Sequence, residues 1–220
     1  MSEFAKTDLN RVKRIPNRGA YDKETIYGIV DDSLICHVGM VNEDGQPIVI
    51  PTIHARQGDN ILLHGASTSR LLKHVGAGHD ICITVTHIDG LVLARSVFHH
   101  SMNYRSAVMY GKGRFITDLD EKMEALEVFT EKLIPGRWAD ARPPTPNEAK
   151  ATHIVAVPID SGSAKVRAGQ PVDDEEDYAL DVWAGVLPMR TVFGELEVDP
   201  LLKDGVVAPA YIHEYAASQQ

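Results

Sequence analysis

Residues 81–98 read Ile-Cys-Ile-Thr-Val-Thr-His-Ile-Asp-Gly-Leu-Val-Leu-Ala-Arg-Ser-Val-Phe, and they carry the clearest structural signal in the chain. Two apolar runs, Ile81–Ile88 and Leu91–Phe98, flank the pair Asp89-Gly90. This pair is typical of a two-residue hairpin turn, because such a turn needs positive φ angles at both central positions. The stretch therefore predicts a tight antiparallel hairpin.

Further strands are predicted on both sides of this hairpin. Strands at short intervals with few helices favour an antiparallel barrel or sandwich over a βαβ fold. The turns Asn42-Glu43-Asp44-Gly45 and Gly58-Asp59 have the composition of tight connections. The additional predicted strands are Leu34–Val41, Pro47–Arg56, Ile61–His64, Tyr104–Thr117 and Thr152–Asp160.

Helical periodicity is confined to four short segments. The longest, Asp118–Ile134, places apolar residues three and four positions apart and stops at Pro135-Gly136. The other three predicted helices are Tyr21–Asp31, Ser69–Val75 and Glu175–Trp183. We expect these helices to lie at the edge of a mainly β fold.

Composition and charge narrow the class of protein. The chain has 220 residues with 22 Lys and Arg against 31 Asp and Glu, a net charge of −9, which disfavours nucleic acid as a partner. We expect no membrane segment, because no apolar run approaches about 18 residues, and no signal peptide at the start. Cys36 and Cys82 lie in apolar runs, so we expect free buried thiols and a cytoplasmic location.

One candidate site follows a predicted strand and opens a predicted helix. The segment His64-Gly65-Ala66-Ser67-Thr68-Ser69-Arg70 combines hydroxyl residues with an arginine. Hydroxyl side chains commonly cap helix amides, so an ordinary cap with an exposed Arg70 is one interpretation. The same amides with a guanidinium also form an anion site, which is the other interpretation.

A second candidate site is the polar segment His99–Ser106, which contains two histidines, Asn103, Tyr104 and Arg105. Its residue types suit hydrogen bonds to a heteroaromatic ligand on a loop, and a solvated loop is the alternative. The ten histidines of the chain lack the spacing of metal sites, so no metal ligands are predicted. Hydrolase, Rossmann and P-loop motifs are also missing.

These motifs occur along the chain in the same order as the motifs of a known protein family. The chain resembles the flavin-nucleotide-binding branch of the pyridoxamine 5'-phosphate oxidase-like superfamily, which also holds nitroimidazole-reductase-like proteins. The segments that carry the resemblance are Arg18–Asp22, Pro47–Thr52, His64–Ala66 with Ser69-Arg70, Asp89–Ser96, Ser101–Ser106 with Gly111, Lys165–Gly169 and Trp183–Pro188.

The resemblance implies an FMN-binding split β-barrel, a six-stranded antiparallel Greek key with peripheral short helices. It also implies a homodimer with a flavin at the subunit interface. The barrel would span residues 14–190, between an N-terminal arm, 1–13, and a C-terminal extension, 191–220. The implied flavin-binding residues are Val49, Ile50, Pro51 and Thr52 along the ring, His64 beside it, Ser69 and Arg70 at the phosphate, and Asn103, Arg105 and Ser106.

The resemblance also implies a function. We expect FMN, or FAD, to pass electrons from NAD(P)H to a small electron-poor substrate, with His64 or Tyr104 as the proton donor. Pro47 and Thr52 stand where the vitamin B6 oxidase has Arg and Lys, so that activity is not expected. The alternatives are a flavin carrier or redox sensor without turnover, and a haem-binding split barrel with His64 or His100 as axial ligand.

Overall fold

The computed structural model describes residues 2–218, so Met1, Gln219 and Gln220, the end residues of the predicted arm and extension, lie outside the described residues. The described chain forms one sheet of ten strands with antiparallel pairing throughout. The strands are β1 (Gly19–Ala20), β2 (Ile35–Val41), β3 (Pro47–Gln57), β4 (Asn60–Ala66), β5 (Asp80–Leu93), β6 (Ser101–Lys112), β7 (Arg114–Phe115), β8 (Thr152–Pro158), β9 (Ser161–Arg167) and β10 (Gly185–Pro188).

The strand order shows how the sheet curls into a barrel. Neighbouring strands run β1-β9-β6-β5-β2-β3-β4-β8-β7, and β10 pairs with β5. The Asp160 amide donates to the Tyr110 carbonyl, which joins the end of β8 to β6. A Cβ on Gly111 would lie 2.1 Å from the Pro158 oxygen, so this closure requires glycine. The predicted mainly β barrel with short peripheral helices is confirmed.

The predicted hairpin at Asp89-Gly90 is wrong. Both residues lie inside β5, which continues to Leu93, and Gly90 is not among the glycines with positive φ. The register against β6 shifts between Ile88 and Gly90, which marks a β-bulge. Gly90 also pairs with Pro188 of β10, where an added Cβ would lie 3.0 Å from the Leu187 oxygen. Asp89 and Gly90 therefore lie at a bulge in the long strand β5, where both β6 and β10 pair with it.

Six α-helices within residues 2–218 lie around the barrel. Asp118 caps the longest of them, since its side chain accepts from the amides of Asp120 and Glu121. The predicted helix Glu175–Trp183 is reduced to a 3-10 turn at Glu175–Ala179. The helices are α1 (Lys23–Asp31), α2 (Arg70–Gly76), α3 (Leu119–Leu133), α4 (Arg137–Asp140), α5 (Pro146–Ala151) and α6 (Ala210–Ser218).

Two hydrophobic cores stabilise this arrangement. The larger fills the barrel and includes Val38, Ile83 and Met109. The smaller lies between α3 and the outer side of β3, β4 and β8, and it is centred on Leu62 and Phe129. None of the helices within residues 2–218 is long and apolar enough to cross a membrane.

Candidate functional site

Five of the predicted site residues point to the outer face of the sheet. Val49 and Pro51 face outward on β3, and Val49 is 64% exposed. Directly paired residues of antiparallel strands share a face, and the register carries this face through β2 and β5 to Tyr104 and Ser106 of β6. His64 is in phase with the outer residues of β4 and lies against α3. The outer face therefore collects apolar, imidazole and hydroxyl groups.

Three other predicted site residues point to the inner side of these strands, because side chains alternate along a strand. Ile50 packs against the barrel core, and Thr52 is in phase with it. Arg105 is held by Asp89, at 3.1 to 3.3 Å, and by Asp32, at 2.6 Å. The hydrogen bonds that Arg105 donates to Asp89 are the main cause of the raised pKa of Arg105. The guanidinium is thus engaged within the chain.

His64 has an unsatisfied nitrogen. Its ring lies 4.3 Å from the Phe129 ring, centroid to centroid, at an angle of 55°. Its Nδ1 atom is buried and has no hydrogen-bond partner in the described part of the chain. Burial lowers the pKa of the His64 imidazole, which keeps it neutral near pH 7. A neutral imidazole with a free nitrogen can accept a hydrogen bond or ligate a metal.

The turn after β4 combines a helix cap with a free cation. Ser69 caps α2 through its Oγ, which accepts from the Leu72 amide at 3.3 Å. Arg70 is exposed, and its guanidinium makes neither a hydrogen bond nor an ion pair with the described residues. The first amides of a helix also lack partners within the helix. The turn therefore offers the guanidinium and amide donors that an anion requires.

Residues Ser101–Ser106 of the second predicted site lie in a strand rather than in a loop. Ser101–Tyr104 forms the first part of β6, and its polar side chains are used within the chain. The Asn103 side chain donates to the Gly169 carbonyl at 3.1 Å and accepts from Arg167. The Ser106 hydroxyl donates to the Lys165 carbonyl at 3.3 Å. These contacts hold β6 and β9 together.

The predicted site residues form two separate groups on one chain. The sheet order places β5 and β2 between β6 and β3. Three intervals at the usual strand spacing separate β6 from β3 by about 14 Å along the sheet. His64, Ser69 and Arg70 lie beyond β3, at the end of β4 and the start of α2. A ligand that touches both groups must be long or lie between two copies.

A basic segment near the N terminus was missed by the sequence analysis. Arg11, Lys13 and Arg14 line a cavity of about 280 Å³ against Ser106 and Lys165 on the outer face. The signal was present, since residues 6–18 hold five Lys or Arg and one Asp in a chain of net charge −9. The segment places positive charge beside the outer face of β6 and β9.

One group of possible metal ligands was also missed. Ligand atoms of His99, Asp174 and Asp177 all lie within 4.8 Å of one another. The His99 Nε2 atom is 3.2 Å from Asp174 Oδ2, so a hydrogen bond between two loops accounts for part of this cluster. The partners are about 75 positions apart, which is why no local spacing motif exists.

Comparison with a protein family matches most of the barrel. The family described as pyridoxamine 5'-phosphate oxidase matches residues 22–166, which run from the N-cap of α1 to the end of β9. This range contains all the predicted site residues. No curated protein sequence is significantly similar to the chain.

Solved structures match nearly the whole chain. The flavocytochrome Anf3 from Azotobacter vinelandii is 41% identical with a TM-score of 0.88, over 94% of this chain and 96% of its own. The FAD and heme binding protein from Mycobacterium smegmatis is 33% identical with a TM-score of 0.86, over 90% and 97%. A Bacteroides thetaiotaomicron protein named for 5-nitroimidazole antibiotic resistance is 26% identical with a TM-score of 0.56, over 67% and 86%.

Proposed function

The chain belongs to the pyridoxamine 5'-phosphate oxidase family, and from this membership and its site geometry we propose that it is a flavin-dependent oxidoreductase. Electrons would pass from NAD(P)H to a small electron-poor acceptor. The observation that carries the proposal is the set of free donors and acceptors beside one face. Within residues 2–218, these are the Nδ1 of His64, which has no partner, and the unpaired guanidinium of Arg70, on either side of the turn that follows β4.

The residues of this face fit a flavin nucleotide. Ser69 and Arg70 would hold a phosphate, because a guanidinium and helix amides suit its charge and its oxygens. The exposed Val49 and Pro51 offer an apolar surface to the isoalloxazine ring. His64 would direct its free nitrogen to a polar atom of the ring edge. When bound, the flavin supplies the hydride and single-electron chemistry that the protein side chains lack.

The identity of the flavin depends on the group beyond the first phosphate. FMN and FAD share the phosphate that Ser69 and Arg70 would bind, so this turn accepts either. The sequence resemblance favours FMN, whereas two structures that match nearly the whole chain are named as a flavocytochrome and as a FAD and heme binding protein. We propose a flavin nucleotide at this turn, and those names favour FAD.

We further propose a homodimer with the flavin between the subunits, in the cytoplasm. One chain presents its two groups of site residues about 14 Å apart along the sheet. A second copy packed on the outer face would bring its β6 group towards the β3 group of the first. The free thiols of Cys36 and Cys82 suit a reducing compartment.

His64 and Tyr104 are the proposed proton donors for a reduced acceptor. Both side chains lie on the outer face, and burial lowers the pKa of His64. Protonation of His64 therefore requires acidic pH. The Tyr104 hydroxyl is the alternative donor on the same face.

A haem is the second candidate group, because two relatives that match nearly the whole chain are named for it. A histidine that holds a haem iron would do so through a neutral ring nitrogen. We propose His64 for this role because its Nδ1 has no partner within residues 2–218, whereas Nδ1 of the exposed His100 lies 3.3 Å from the Ala94 amide. Bound haem would give a Soret band that is weakened by His64→Ala and retained in His100→Ala.

Steady-state oxidation of NADH and NADPH with a panel of nitroaromatic and quinone acceptors tests the proposed activity. Flavin-dependent turnover above that of free flavin at the same concentration is expected. A flavin-loaded protein that gives no such turnover would instead be a carrier or a redox sensor. The buffer control and free FMN and FAD are run in parallel.

A further inference from the structure

Residues 190–209, called here the C-terminal strap, are held by hydrogen bonds at their two ends and by the Phe193 ring, which lies 5.3 Å from the Tyr215 ring of α6, centroid to centroid. At the start, the Met189 amide donates to the Asp89 carbonyl at 3.0 Å. At the end, the Tyr211 hydroxyl of α6 lies 2.7 Å from the Asp140 carboxylate. Between these points, the hydrogen bonds of the strap within residues 2–218 join positions no more than three apart. The strap thus crosses the surface without hydrogen bonds to the barrel.

The strap exposes a run of apolar side chains. Leu201 is 90% exposed, Val207 80% and Val198 71%, and the other exposed apolar residues of the strap are Val192, Phe193, Leu196, Leu202 and Val206. Apolar surface of this extent on one segment is typical of an interaction site. A loop of 20 residues without secondary structure is also uncommon in a compact domain unless it has a function.

The strap is acidic, and the N-terminal segment of the same chain is basic. The strap holds four carboxylates and two cations, whereas residues 6–18 hold five cations and one carboxylate. Across the described chain, no ion pair joins the two segments, and the ion pair recorded in residues 6–18 is between Arg11 and Asp8. Within residues 2–218 of one copy, the charges of the two segments are therefore not paired with each other.

We propose that the C-terminal strap of one copy packs across the basic N-terminal segment of a second copy, and that the exchange is reciprocal. A twofold dimer uses the same patches on both subunits, so each strap meets the segment of the other copy. The carboxylates of Glu195 and Glu197 would face Arg11 and Lys13, and Leu201 would be covered. The inference rests on the proposed homodimer and adds the surfaces that form it.

A charge exchange between two variants tests this arrangement in the full-length protein. The first variant carries Glu195→Lys and Glu197→Lys, and the second carries Arg11→Glu and Lys13→Glu. Each alone places like charges at both contacts of its homodimer, so its dimer dissociation constant should rise about tenfold or more at low salt. An equimolar mixture restores opposite charges at both contacts, so it should form heterodimers with near wild-type affinity.

Sedimentation velocity and the visible spectrum are recorded together. Asp44→Lys in the exposed β2–β3 turn is the charge-reversal control and should leave the dimer unchanged. Leu201→Ser should weaken the dimer through lost apolar contact. Heterodimer formation in the mixture supports the strap exchange, because a contact within one chain cannot be restored by mixing.

The two proposals fail in different ways. A wild-type protein that binds flavin as a monomer overturns the proposed homodimer and the strap exchange with it. A wild-type dimer whose dissociation constant is unchanged in both charge variants overturns the strap exchange alone. Variants that weaken the dimer without recovery on mixing also overturn it. Loss of flavin from a wild-type dimer contradicts the flavin site and leaves the strap exchange intact.

Discussion

The imidazole of His64 lies 4.3 Å from the ring of Phe129, with its buried Nδ1 atom lacking a partner among residues 2–218. This contact joins the end of β4 to α3 on the outer side of the barrel. Phe129 fixes one side of the imidazole and keeps water from it, which lowers the pKa of His64. The proposed site is therefore built around a neutral, positioned imidazole.

Arg70→Ala should weaken flavin binding by about 10- to 150-fold, since a charge-assisted hydrogen bond contributes about 1.5–3 kcal/mol. Quenching of flavin fluorescence during titration measures the dissociation constant. Lys73→Ala, which removes an exposed cation from the last turn of the same helix, is the matched control and should have little effect. Equal dissociation constants for wild type and Arg70→Ala would remove the phosphate assignment.

If His64 donates a proton, turnover should rise as pH falls below about 6.5, because its lowered pKa confines the protonated form to acidic solution. His64→Ala should abolish this acidic rise, whereas Tyr104→Phe should reduce turnover at neutral pH. Steady-state rates of the flavin-loaded enzymes from pH 5 to 9 measure both effects. The proton-donor role of His64 is wrong if His64→Ala keeps the wild-type pH profile.

His54 should make the protein less stable in acid. Its Nε2 lies 3.1 Å from the Val30 carbonyl, while Nδ1 is buried and has no partner within residues 2–218, and burial lowers the pKa of the His54 imidazole. Just below pH 6.5, His54 is therefore protonated in the unfolded chain but still neutral in the folded chain. The free energy of unfolding is unaffected by this group above about pH 6.5 and falls below it, by up to about 1.4 kcal/mol per pH unit.

Urea unfolding at several pH values measures this dependence in wild type and in His54→Gln. The glutamine amide retains a donor for the Val30 carbonyl and cannot be protonated, so the slope below pH 6.5 should decrease. The comparison depends on the slope, so any overall loss of stability in the variant does not affect it. An identical slope in both proteins contradicts the assignment to His54.

Gly111→Ala should destabilise the barrel by about 1–3 kcal/mol or more, because its Cβ would lie 2.1 Å from the Pro158 oxygen. Gly39→Ala is the control, since its nearest contact, the Cys82 oxygen, would be at 3.6 Å. Chemical denaturation gives both changes in the free energy of unfolding. Equal stability of the two variants would mean that β6 and β8 are not closed at Gly111.

Local signals predicted most of the strands and three of the four expected helices. The turn at Gly45 and the start of the helix at Asp118 depend on residues within a few positions, and both occur where expected. Asp89-Gly90 has the same local chemistry as a turn, yet it lies within β5 because β6 and β10 pair along that strand. Pairing with strands distant in the sequence overrides a local turn preference.

The sequence named the residues of the candidate site, but it did not predict the face of the sheet to which each side chain points. The motif identifies Val49, Ile50 and Arg105 alike, but the register turns Val49 outward and the other two inward. Sequence alone also gives no sign that Arg105 meets Asp32, because the two residues are 73 positions apart. Facing direction and long-range ion pairs require the folded register.

The visible absorption spectrum of the freshly purified protein, followed by release and identification of its chromophore, tests the central claim most directly. We predict a flavin spectrum, release of FAD or FMN, and loss of the flavin in Arg70→Ala. A Soret band in place of the flavin spectrum would instead indicate the haem considered at His64. A colourless protein that binds neither added FMN nor added FAD would contradict the flavin site at His64, Ser69 and Arg70.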